Sequence, residues 1–97
     1  MSIFGSLRKY ATGWEVKSTS NFSQADINEV SRTEVVPSEY GLSVCFFFKT
    51  GGQSYMPVSR DSADKVEIGQ SVDLTKCKVL TLGQPGSADI MRIEVGE

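Results

Sequence analysis

The segment from Leu42 to Lys49 constrains this chain more than any other, because hydrophobic residues occupy both of its alternating registers. Leu42, Val44, Phe46 and Phe48 fall on one face of an extended strand, and Ser43, Cys45, Phe47 and Lys49 fall on the other. Gly51-Gly52 follows, and only residues that accept positive φ suit the tight turns whose twist matches paired strands. The pattern therefore predicts a two-residue hairpin, with Ser54 to Ser59 as the returning strand. With Thr50 and Gln53 flanking the turn, Phe48 is expected to face Tyr55 and Phe47 to face Met56, while Pro57 marks a bulge or a sheet edge.

The remaining punctuation suggests further strands. Trp14, Val16 and Ser18 alternate with Glu15 and Lys17 as a short strand, and before them Ile3, Phe4, Leu7 and Tyr10 fall near helical spacing behind Ser2 as a cap. Ile27 and Val30 fit a helical turn, but the β-branched run that follows favours a strand from about Asn28 to Val36, broken by Pro37. Tyr40 to Lys49 is the next strand. Asp61 to Val66 reads as a capped helix of about one and a half turns. Ser71 to Leu74 and Lys76 to Leu82 return to β structure, residues 83–87 form a loop, and Ala88 to Val95 is the last strand, with Ile90, Arg92 and Glu94 on one face and Met91, Ile93 and Val95 on the other. Five strands with a short helix between the third and fourth, preceded by residues 1–25 as an extension packed on them, is the element order of an all-β, five-stranded OB-like Greek-key barrel. An SH3-like barrel or a short sandwich shares that order.

At 97 residues the chain is expected to be a single domain over 1–97, and its 39% hydrophobic and 23% charged residues fit a folded one. Val44 to Phe48 is the longest apolar run, far too short for a membrane span. Cys45 and Cys77 lie far apart in sequence without a CxxC, which favours reduced, packed thiols in a cytoplasmic setting over a disulfide or a metal site. Histidine is absent, so the commonest general base and the commonest metal ligand are missing together. No GxSxG or phosphate-loop spacing occurs, and Asp61 with Asp64 is better explained by helix capping. The expectation is a non-enzymatic protein with no cofactor, metal, membrane or small-molecule substrate.

What remains is an interleaving of aromatic and basic side chains. Phe47, Lys49, Tyr55 and Arg60 lie on or beside the predicted hairpin, and Lys17 is a candidate to extend the basic track. Aromatic faces accept unstacked bases of any sequence while cations meet phosphates, so the pattern points to single-stranded nucleic acid. The competing explanation is that a small barrel needs its aromatics as core. Phe47 is the best candidate ligand contact, since Phe46 and Phe48 already supply the opposite face.

The stretches Gln53-Ser54-Tyr55-Met56-Pro57-Val58, Ile68 to Leu74, Lys78 to Gly83 and Ile90 to Val95 are similar in order and spacing to the C-terminal half of small phage single-stranded DNA-binding proteins of the filamentous-phage type. The resemblance implies an OB-like barrel that dimerises and coats single strands through aromatic and basic residues. This chain departs from that family in its acidic balance, a net charge of -2 with a pI near 5.1, and in its first 25 residues, which have no counterpart there. An acidic chain has no whole-molecule field to draw in polyanions, which favours a second expectation: a protein-interaction or assembly module in which another subunit covers the apolar hairpin face.

Overall fold

The computed structural model describes residues 15–39, 41–83 and 88–96, and within them six strands form two three-stranded antiparallel sheets. The first sheet contains β1 (Glu15–Asn21), β5 (Cys77–Gly83) and β6 (Ile90–Val95), in the order β1-β5-β6. The second contains β2 (Val30–Ser38), β3 (Gly41–Phe48) and β4 (Gln53–Pro57), in the order β2-β3-β4. Helix α1 (Gln24–Glu29) precedes β2, a single turn α2 (Arg60–Ala63) follows β4, and a 3-10 turn, Leu74–Lys76, leads into β5. The sequence expectation of β structure holds, but there are six strands instead of five and they do not close into a barrel. Trp14, Tyr40 and the N-terminal helical spacing lie outside the described residues.

A backbone seam joins the two sheets. Val58 forms an isolated parallel bridge with Ile93, the Ser59 amide donates to the Ile93 carbonyl at 2.8 Å, and the Val58 amide donates to the Leu42 carbonyl at 2.8 Å. The end of the β3–β4 hairpin is thereby stitched to β6. Around this seam Val35, Val44, Val58 and Ile93 are essentially inaccessible, and Phe46, Val66, Leu74, Cys77 and Val95 complete the buried cluster. Removing these side chains from water is the main source of stability for so small a domain, at about 1.5 to 3 kcal/mol per large apolar residue.

The helix after β4 is a single turn, Arg60–Ala63, where Asp61 to Val66 was expected, and local chemistry accounts for several other departures from the sequence expectation. The proposed strand from Asn28 begins instead at Val30, because Ser23 caps a helix: its hydroxyl accepts from the Asp26 amide at 3.1 Å. Pro37 does not end β2, since it pairs opposite Leu42 near the end of the strand, where a missing donor costs little. The β3–β4 turn is longer than two residues. Phe47 pairs with Gln53, Cys45 with Tyr55 and Val44 with Met56, and the Gly51 amide donates to the Phe48 carbonyl at 3.1 Å. A β-turn across Phe48–Gly51 thus ends on Gly51 at φ 91° and is followed by Gly52 at φ 82°, a loop that needs positive φ as much as the shorter turn would. Ser71 to Leu74 is not a strand, because Asp73 caps the 3-10 turn through bonds from the Thr75 amide (3.0 Å) and hydroxyl (2.6 Å).

Two features protect strand edges. Along β2, the Val35 amide donates to the Gln70 carbonyl at 2.8 Å, and the Gly69 amide donates to the Val35 carbonyl at 2.7 Å. Buried Thr33 adds a reciprocal pair there, its hydroxyl donating to the Val72 carbonyl at 3.0 Å and accepting from the Val72 amide at 2.9 Å. On β1, exposed throughout, the pairing with β5 slips between Val16 and Ser18, so Lys17 bulges out of the ladder.

Candidate nucleic-acid interface

Alternation along β2, β3 and β4 sorts the second sheet into two faces. Thr33, Val35, Val44, Phe46 and Met56 point to the core, whereas Arg32, Glu34, Cys45, Phe47, Gln53 and Tyr55 share the outer face. Phe47 is half-buried there, and Tyr55 is 55% exposed. Since Phe47 pairs with Gln53 and Tyr55 with Cys45, the two rings are diagonal neighbours on adjacent strands, a spacing of about 7–8 Å between backbones. The Gln53 amide donates to the Tyr55 hydroxyl, tying that ring to the sheet. Partial desolvation, with the Cys45 thiol beside it, holds the Tyr55 phenol above the ordinary tyrosine range.

Arg32 completes the arrangement. A bulge at Ser31 shifts the β2–β3 register so that Val30 pairs with Phe48 but Arg32 pairs with Phe47, and the Ser31 hydroxyl donates to the Phe47 carbonyl at 3.0 Å. The Arg32 guanidinium carbon lies 3.7 Å from the centre of the Phe47 ring, a cation–π stack, and its Nη1 sits 3.1 Å from Glu34 Oε1. Sequence reasoning overlooked Arg32. The signal was present in the alternation Arg32-Thr33-Glu34-Val35, which places the arginine opposite a buried threonine and valine.

The other expected contacts are dispersed. Lys49 is exposed in the turn at the Phe47 end of the hairpin, its amide donating to the Glu29 carbonyl at 2.9 Å. Arg60 opens α2 beyond the opposite end of β4. Lys17 belongs to the other sheet, where its ammonium pairs with Asp89 at 2.9 Å. Phe47 and Tyr55 are therefore together, with Lys49 near the turn and Arg60 and Lys17 apart from them.

On the core side of the same sheet, Phe22, Phe46, Phe48 and Met56 line an open apolar groove beside α1, with Asp26 and Glu29 also among its walls. Phe22 and Phe46 pack with ring centres 5.9 Å apart. Both cysteines are buried free thiols; Cys45 lies under the outer face, and burial pushes the Cys77 thiol up. Among the described residues no cluster of three metal-ligating acids and thiols occurs, and no helix is long and apolar enough to cross a membrane. Comparison with known protein families, with curated proteins and with solved structures found no match to this chain.

Proposed function

We propose that the outer face of the β2–β3–β4 sheet binds single-stranded nucleic acid, without catalysis, as an OB-like interface. The observation that carries this reading is the pairing of two outward-facing aromatic rings, half-buried Phe47 and exposed Tyr55, on one sheet face with the Arg32 cation stacked against the first. Rings on a rigid sheet give successive bases a stacking platform, and cations beside them meet the backbone, so binding is tolerant of sequence. Lys49 at the turn lengthens the basic track, while Arg60 and Lys17 are outlying contacts for a longer strand. The resemblance of the stretches 53–58, 68–74, 78–83 and 90–95 to filamentous-phage single-stranded DNA-binding proteins is what suggests DNA as the ligand and a homodimer, in a cytoplasmic setting, as the working form.

The apolar groove beside α1 favours one alternative, a protein-interaction module. Its acidic residues Asp26 and Glu29 suit a segment that is both apolar and basic. Titration of a fluorescent single-stranded oligonucleotide across a salt series separates the two. The nucleic-acid reading expects a complex that weakens as salt rises, with a logarithmic slope of about 0.7 per phosphate contact. Absence of binding at low salt would reject it in favour of the interaction module.

A further inference from the structure

In the free protein Arg32 lies on the aromatic surface that a base would use. Its guanidinium sits at 3.7 Å from the Phe47 centroid, and Glu34 holds Nη1 at 3.1 Å. Both side chains remain open to solvent, at 57% and 40%, so neither is fixed by packing. The Ser31 bulge puts Arg32 in register with Phe47, and strand alternation returns Glu34 to the same face two residues later. The ring is thus covered by a planar group, and that group is neutralised by a carboxylate. A stacked nucleotide offers the same two features, a planar base and an anionic phosphate.

We propose that the Arg32–Glu34 ion pair is a latch on the single-strand site: it closes the stacking surface of Phe47 in the free protein, and a bound strand opens it. The base replaces the guanidinium on the ring, and the guanidinium exchanges the Glu34 carboxylate for a phosphate of the same strand. This inference rests on the single-strand reading of the face and adds a selectivity to it. A ligand without phosphate, such as a free nucleoside, must displace the arginine and returns no anion to it, whereas a strand supplies base and anion together. Arginine suits this exchange because its planar fork both stacks on aromatic rings and pairs with oxyanions. Glu34 competes with phosphate for one cation, so it opposes binding through Arg32 and not merely as a nearby negative charge.

The test is a double-mutant cycle read by oligothymidylate binding, using the parent, Glu34→Gln, Arg32→Ala and the double variant, each shown to be folded by its melting curve. Releasing an exposed ion pair shifts an equilibrium by about two- to fivefold, so Glu34→Gln should tighten binding by that factor when Arg32 is present. In the Arg32→Ala background the same change should have less than about half that effect. Equal factors in both backgrounds, or no tightening in the parent, overturn the latch. A Phe47→Ala control identifies the level of failure. If it binds as the parent does, or if the parent itself does not bind, the single-strand reading falls and the latch with it; if it weakens binding while the cycle shows no coupling, the latch alone falls.

Discussion

Neighbouring phenylalanines on β3 have opposite fates. Phe46 is 6% exposed within the core and packs on Phe22, whereas Phe47 stands on the outer face under Arg32. Phe46→Ala should cost about 3–5 kcal/mol of stability, as expected for a truncated core ring. Phe47→Ala should melt near the parent yet lose about 1–3 kcal/mol of oligonucleotide binding with an unchanged salt slope, because stacking releases no counterions. Denaturant melts beside binding titrations check both, and a Phe47→Ala protein as unstable as Phe46→Ala would assign that ring to the core. This division was legible in the period-two pattern of Leu42 to Lys49. Thr33 was not: a buried hydroxyl that serves the Val72 amide and carbonyl at once depends on a contact distant in sequence. Thr33→Val keeps the shape but strands two backbone groups, and should destabilise by roughly 1–3 kcal/mol. A neutral Thr33→Val variant would mean that water replaces the hydroxyl.

At the scale of elements, strand identity was easier to read than register. Positive φ at Gly51 and Gly52 satisfies either a two-residue turn or the observed longer loop, so glycine alone did not choose between them. Likewise, the β-branched residues after Val30 drew attention away from the Ser23 cap, and a strand was expected from Asn28, where α1 still has its last two residues. Gly51→Ala and Gly52→Ala meet no neighbouring atoms, so their cost is conformational and should be about 1–2 kcal/mol each, measurable by thermal melts. Gly96→Ala differs, since an added methyl would run into the Lys76 backbone carbonyl, and its larger loss should appear as a displaced 3-10 turn.

The cap of that turn also sets a pH dependence. Hydrogen bonds from the Thr75 hydroxyl and amide hold the Asp73 carboxyl below the usual aspartate range. Its folded-state affinity for protons is therefore lower than in the unfolded chain. The resulting stabilisation is fully present above the ordinary aspartate range and fades as pH falls through the lower folded value. Asp73→Ala should be less stable than the parent at neutral pH, and the two should converge in acid. A difference that stays constant across the acid limb would remove Asp73 as the cause.

For the whole molecule, the sequence could not reveal how the strands divide. Nothing local in Val58 or Ile93 announces that their single bridge joins the sheets, nor that β1, which reads as part of an extension, pairs along β5. Long-range pairing is settled by which apolar faces can be buried together, and that is a property of the assembled chain. Because the seam depends on few bonds, Val58→Ala should loosen it, and loss of amide-exchange protection at Ser59, which donates to Ile93, as well as at residue 58, which donates to Leu42, would show it.

The bulge at Lys17 bears on how copies of this protein should behave when crowded. β1 is an exposed strand, and among the described residues nothing pairs with its outer side, the kind of edge on which further chains can add and build cross-β fibrils. An extra residue that breaks the ladder between Val16 and Ser18, with a lysine at that break drawn toward Asp89, twists the edge away from flat addition. The same irregularity that interrupts one strand is therefore expected to protect a concentrated solution from fibre growth. Deleting Lys17 should shorten the lag before light scattering rises during prolonged incubation, and an unchanged lag would show that the edge is guarded by something else.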